Sequence, residues 1–251
     1  MAAPLSRFEH LDFEGFRALA RDESLSRHEK VGFPDSYRDG KEAAIFADIC
    51  AKLPSLQRHG VRVLEIGPGC SALPQMLAAH CAERHGDITF VDSAEMLALL
   101  PREPAARHVT GRFPDALRDE MPALSGRIDT IVAYSVLQYV FVEGNVFDFI
   151  DSCLAMLSAG GELLLGDLPN ATMRKRFFAS SEGVVTHQRF SGRPELPDVH
   201  FNRLEPGAID DSIVLGLLAR ARAEGFHAWV LPQAPGLPMA NRREDILIRR
   251  P

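Results

Sequence analysis

The chain has 251 residues, 46% hydrophobic and 25% charged, with a net charge of −6. This is enough to bury one large core, or one core with a sizeable insertion, and it lacks the basic excess that a nucleic-acid partner demands. The longest nearly apolar run, about residues 131–142, is too short for a membrane span, no apolar leader is visible after Met1, and the four cysteines show no CxxC spacing, so the expectation is a cytoplasmic protein with reduced thiols and no membrane partner.

In chain order, residues 12–58 are expected to be helical. FEGFRALARDE and GKEAAIFADICAKL both repeat apolar residues at spacings of three and four. Gly32, Pro34 and Gly40 break the stretch between them. Strand-like runs follow at 61–66, 88–92, about 107–111, 128–134 and 161–166, with helical patterns at 72–85, 94–100, about 115–123 and 143–158. Such alternation predicts a parallel sheet covered by helices on both faces. Residues 168–208 then interrupt the rhythm before a helix at about 209–223, and a connection that long is usually functional. Two last strands, 227–232 and 245–250, are joined by a Pro/Gly-rich stretch with no room for a crossover helix, so they pair antiparallel.

The chemistry starts at VLEIGPGCS, residues 63–71. A strand runs into Glu65, and Gly67, Pro68, Gly69 and Cys70 form a turn that opens a helix. Glycines there allow a close approach of ligand to backbone. Asp92 ends the next strand, where a carboxylate can accept from both hydroxyls of a ribose; with Ser93 it also reads as the cap of the following helix. Glu65 argues about charge. A dinucleotide would bring its pyrophosphate to this helix start, and a carboxylate one turn earlier would repel it. A cationic adenosine ligand without phosphates would be attracted.

These segments resemble the class I S-adenosylmethionine (SAM)-dependent methyltransferases. VLEIGPGCS is similar to their glycine-rich first motif, and FVDSAEML, which includes Ser93 and Met96-Leu97, to the second, with Asp92 as ribose ligand. TGRFPD is similar to the segment flanking adenine, which assigns Arg112 and Phe113 to that role, although an acidic or amide residue often stands at the arginine's position. IDTIVAYSVLQYV resembles the fourth strand and its loop, with Ser135 near the cofactor, and LSAGGELLLGD the fifth strand. The resemblance covers roughly residues 60–168 and the terminal hairpin. It implies a Rossmann-like α/β fold, with a seven-stranded sheet of order 3-2-1-4-5-7-6 and strand 7 antiparallel. It also implies SAM as methyl donor and S-adenosyl-L-homocysteine as product.

The division that follows is an N-terminal helical lid, 1–58, and a SAM-binding domain, 59–251, with an acceptor cap at 168–208. Tyr37 and Arg38 are expected to close over the cofactor. A hydroxyl acceptor calls for a general base, and His187, His200 and Asp167 are the candidates. Tyr139, Arg174, Arg176 and Arg189 are candidate contacts to a small polar acceptor. A looser resemblance of 166–181 and 238–248 to bacterial methyltransferases of sugar and surface-polysaccharide biosynthesis suggests a sugar hydroxyl. Asp167 and Asn170 offer two oxygen ligands, too few to expect a metal. An NAD-dependent oxidoreductase, and a SAM-binding protein without methyl transfer, remain the alternatives.

Overall fold

The computed structural model describes Phe8 and residues 11–251. Seven strands form one sheet: β1 Arg62–Ile66, β2 Asp87–Asp92, β3 Ala106–Thr110, β4 Ile128–Tyr134, β5 Leu157–Pro169, β6 His227–Pro232 and β7 Arg243–Arg249. Their order is β3-β2-β1-β4-β5-β7-β6. The first five are parallel, and β7 runs antiparallel to both β5 and β6. This is the expected topology.

Strands β4 and β5 are apolar almost throughout because both of their faces are covered. Successive side chains point to opposite faces. Leu163 and Leu165 enter a core with Ile131 and Ile246, closed by helices α9 (Val146–Met156) and α12 (Asp211–Ala223). Leu164 enters the opposite core with Val63, Phe90 and Val132, closed by α4 (Glu42–Lys52) and α5 (Leu73–Glu83).

Ahead of α4 lie α1 (Phe13–Arg21) and two one-turn helices, α2 (Arg27–Lys30) and α3 (Asp35–Arg38). The helix expected at 94–100 is shorter, α6 (Ala94–Leu97). The one expected at 115–123 divides into a 3₁₀ turn, Asp115–Leu117, and α7 (Met121–Leu124). The one expected at 143–158 is α9, while the stretch expected as the loop after β4 forms a further helix, α8 (Leu137–Glu143), which ends at Gly144 before the chain restarts as α9. Asn145 causes that restart, since its side chain accepts from the amides of Phe147 and Asp148 at 3.0 and 3.2 Å. The 168–208 segment opens with two helices, α10 (Ala171–Phe178) and α11 (Ser181–Ser191), the second stopped by Gly192 at φ +67°. Among the described residues no helix is long and apolar enough to cross a membrane.

A buried polar network sits at the carboxyl ends of β4 and β5. Asp245 on β7 is fully buried and accepts from Lys52 Nζ at 2.7 Å, from the amide of Asp167 at 2.8 Å and from Gln233 at 3.2 Å. Removing one member of a buried ion pair strands the others. Asp245→Ala is therefore expected to destabilise the fold by about 3–5 kcal/mol, read as a lower denaturant midpoint at unchanged slope.

Candidate functional site

The strand order reverses between β1 and β4, and a cleft opens there beyond the strands' carboxyl ends, the usual ligand position in an open α/β sheet. It encloses about 1050 Å³, part of it continuous with solvent. Gly67 and Gly69 form its floor at φ +64° and +65°. A Cβ at Gly67 would lie 2.6 Å from Val136 Cγ2, and one at Gly69 2.5 Å from Val31 Cγ1. Only glycine combines that backbone with that crowding.

Asp92 lines the cleft beside this turn. Its carboxylate accepts from the amide of Gly69 at 3.2 Å and from that of Ser93 at 2.6 Å. Burial pushes its pKa up to about 6, against the lowering effect of those donors. Glu65 lies behind the turn, 2% exposed, and its Oε2 has no hydrogen-bond partner among the described residues. Burial, and then the charge of Asp92, push its pKa up to about 8.

At one end of the cleft stand Gly111, Arg112 and Phe113. Arg112 lies 4.6 Å over the ring of Phe13 and 3.0 Å from Glu143, which also accepts from the amide of Phe13 at 3.1 Å. Phe113 meets Phe149 edge-on, with centroids 5.1 Å apart. The other end is aromatic. Tyr139 packs edge-on against Phe16 at 4.9 Å, and Arg38 lies 4.1 Å over Phe33. Arg38 is buried and donates to Ser135 at 2.7 Å and to Asp167 at 2.8 Å.

Of the residues expected in the site, Gly67, Gly69, Asp92, Met96, Arg112, Phe113, Ser135, Tyr139 and Arg38 line this cleft. Pro68 and Cys70 are buried in the turn, the thiol 3.7 Å from the carbonyl of Arg27. The Ser93 hydroxyl is occupied in capping α6, accepting from Met96 N–H at 3.2 Å, and Leu97 belongs to the core. Tyr37 is not part of the wall, although its neighbour Arg38 is.

The expected bases and acceptor contacts lie elsewhere. His187 faces the ring of Phe178 at 6.2 Å, and exposed His200 pairs with Asp198 at 2.9 Å. Arg174 pairs with Glu205, Arg176 with Asp211 at 2.5 Å, and Arg189 is exposed. None of these five lines the cleft. Asp167 is buried at φ +58°, with donors at both oxygens: Arg38, Ser135 and Arg243 on one, Gln233 on the other. Asn170 caps α10 and donates to Asp211 and Glu244, so it does not join Asp167 in a metal site. Among the described residues no cluster of three or more His, Cys, Asp or Glu could hold a metal ion. Phe13, Phe16, Val31, Phe33 and Glu143 belong to the wall and are not among the residues the sequence singles out. The three-residue spacing of Phe13 and Phe16 on α1 was their one readable signal.

Solved structures with this architecture include the CurJ carbon methyltransferase, with a TM-score of 0.55 and 18% identity over 97% of this chain and 65% of that one. The plantazolicin methyltransferase BpumL in complex with SAH has a TM-score of 0.55 and 13% identity, covering 95% of this chain and 96% of that one. The N-methyltransferase NodS from Bradyrhizobium japonicum WM9, in complex with S-adenosyl-L-homocysteine (SAH), has a TM-score of 0.55 and 16% identity, covering 95% and 98%. The fold is that of the class I methyltransferases. Among curated proteins, chondramide synthase cmdD from Chondromyces crocatus is 30% identical over 161 residues, 61% of this chain and 4% of that protein. The chain thus spans a small fraction of the length of the curated relative it matches. No protein-family model matches it.

In this methyltransferase fold the buried Glu65 makes stability depend on pH. The folded state holds the Glu65 proton up to about pH 8, while the unfolded chain releases it near the ordinary value of 4.5. Between those values the folded state binds more protons, so this residue lowers stability as pH rises. Glu65→Gln in ligand-free protein is expected to gain stability over wild type progressively across that window. The gain should reach a few kcal/mol by its upper end, one pKa unit being worth about 1.4 kcal/mol. Thermal denaturation at a series of pH values measures it, with the two curves converging in acid.

Proposed function

We propose that the chain is a SAM-dependent methyltransferase acting on a small-molecule acceptor. The observation that carries this reading is the junction of Asp92 with the Gly67–Gly69 turn. A carboxylate held by two loop amides faces the cleft, where a ribose diol would find its acceptor, beside a floor with no room for a side chain. Glu65, buried behind the same turn with no partner at Oε2 and protonated in the ligand-free fold, supports a cationic ligand over a pyrophosphate, because a nearby cation favours its ionised form and a pyrophosphate opposes it. That favours SAM over NAD. Arg112 and Phe113, with Phe13, are proposed to flank the adenine. The N-terminal segment through residue 58 is proposed as a lid, on the support of Phe13, Phe16, Val31, Phe33 and Arg38 in the wall.

Bound SAM supplies an electrophilic methyl group on a sulfonium centre. The work left to the chain is to hold the acceptor in line and keep water out, and positioning alone contributes several kcal/mol to such reactions. Phe33, Tyr134, Ser135 and Tyr139 are the residues proposed to receive the acceptor. Their aromatic surround gives less support to the expected sugar hydroxyl than to an acceptor with an apolar face. Asp167 is already engaged at both oxygens by Arg38, Arg243 and Gln233. An acceptor atom that needs no strong base fits this wall best. The cysteines are unpaired and three of the four are buried, which supports the proposed cytoplasmic setting.

Calorimetric titration with SAM, SAH and NAD tests the reading. SAM and SAH are expected to bind and NAD not; the reverse result overturns it. Asp92→Ala should weaken SAH binding by ~10²-fold or more, the loss of two hydrogen bonds to a charged acceptor. Wild-type affinity should also fall as pH drops through about 6, where Asp92 gains a proton and ceases to accept twice. Methyl release from SAM with a panel of small acceptors separates an enzyme from a SAM-binding protein.

A further inference from the structure

Residues 26–42 form a compact knot at the edge of the cleft. Ser26 and Glu29 close a capping box on α2, with the Glu29 amide 3.1 Å from Ser26 Oγ and the Ser26 amide 2.9 Å from Glu29 Oε2. The carbonyl of His28 accepts from the amides of Val31 and Phe33, at 3.1 and 3.0 Å. Val31, Phe33 and Arg38 all line the cleft. The geometry of this stretch is therefore part of the ligand site.

His28 is half-buried at the centre of the knot. Its Nδ1 lies 3.0 Å from Asp35 Oδ1 at the start of α3, and its Nε2 contacts Glu42 Oε1 at the start of α4. Ser26 Oγ donates to the same Asp35 oxygen at 2.6 Å. Arg38 lies near enough to Glu42 to favour its charge, and Arg27 and Lys30 are the cations on the helix of His28 itself. A neutral imidazole has one N–H and can serve only one carboxylate; its other nitrogen would set a lone pair against the second. Imidazolium serves both. The arrangement therefore calls for the protonated ring.

We propose that His28 is a positioning residue: as imidazolium it ties α2 to α3 and α4, holds Val31, Phe33 and Arg38 in the cleft wall, and so strengthens binding of the adenosine ligand. This rests on the SAM reading above. Burial opposes the charge on His28, but the hydrogen bonds to Glu42 and Asp35 outweigh it, and its pKa lies above the ordinary 6.5. A raised histidine value means that the tie is complete below 6.5 and is lost as pH climbs through the folded-state value. Among the other ties of the segment are Arg38 to Asp167 and Lys30 to the carbonyl of Ala20, and on neighbouring α1 Arg17 pairs with Glu95; the guanidinium–carboxylate pairs do not depend on an imidazole proton.

The test compares SAH affinity of wild type and His28→Gln by calorimetry over roughly pH 6–9. Asp92 and Glu65 titrate in both proteins, so the ratio of affinities isolates His28. Wild type should bind roughly three- to tenfold more tightly at the acid end, the combined worth of two partly exposed ion pairs, and the ratio should approach one at the alkaline end. A ratio independent of pH overturns the proposal. Amide hydrogen exchange of residues 31–38 in ligand-free protein, corrected for intrinsic rates, gives a second readout. Protection should fall with rising pH in wild type and stay flat in the variant; matching profiles overturn the proposal. SAH binding to neither protein would instead sink the SAM reading, with exchange still judging the tie. If His28→Gln does not fold, Glu42→Gln replaces it and should move the wild-type transition to lower pH; an unmoved transition counts against the proposal.

Discussion

Asp167 is the point on which the working end of the molecule depends. Three donors meet at one of its carboxylate oxygens: Arg38 from the N-terminal segment, Ser135 from the loop after β4 and Arg243 from β7. Gln233, from the connection between β6 and β7, reaches the other. The Asp167 amide donates in turn to buried Asp245, which holds Lys52 on α4. An isolated charge at that depth would be very costly. With partners from parts of the chain far apart in sequence, it forms only when all of them are in place. The left-handed backbone at this residue belongs to the same arrangement, carrying β5 past its irregular step after Leu165.

Two electrostatic regimes therefore share one cleft. Near the glycine turn stand two carboxyl groups, Asp92 in the wall and Glu65 behind it, the latter kept protonated by burial up to about pH 8. Near Arg38 a guanidinium shares Asp167 with Arg243, and both guanidinium groups face the ring of Phe33, at 4.1 and 5.6 Å. A ligand with a cationic centre between an adenosine and an anionic tail would meet complementary charge along its length. The aromatic rings of Phe16, Phe33 and Tyr139 line the same cleft, Phe16 and Tyr139 in edge-on contact.

Much of this was legible in the residues. All seven strands overlap the runs that β-propensity and alternation mark, with β5 extending beyond its expected 161–166 at both ends. The glycine turn and Asp92 were readable because their chemistry is local: a turn needs its glycines and a strand tip needs its carboxylate. Helix ends were less legible. The stretch read as the loop after β4 forms a helix up to Glu143, and the helix read from 143 starts only after its cap at Asn145, because an apolar repeat does not report a side-chain cap. The expected bases and arginines lie outside the cleft for a different reason. His187, His200, Arg174, Arg176 and Arg189 were chosen for their chemistry in a segment of unknown path, and that path carries them to ion pairs, ring contacts and exposed positions outside the cleft.

By itself the sequence determined the sheet, the crowded turn at Gly67 and Gly69, and the carboxylates at 65 and 92. Each of these follows from propensity and periodicity acting over a few residues. Only the tertiary structure decided what faces the cleft from the other side. Phe13, Phe16, Val31, Phe33 and Arg38 reach it because ionic contacts such as Arg38 to Asp167 and Arg17 to Glu95, not local propensity, fold residues 11–40 across the ends of β1 and β4. Those contacts join residues far apart in sequence, and no short-range pattern encodes which carboxylate a given arginine will find.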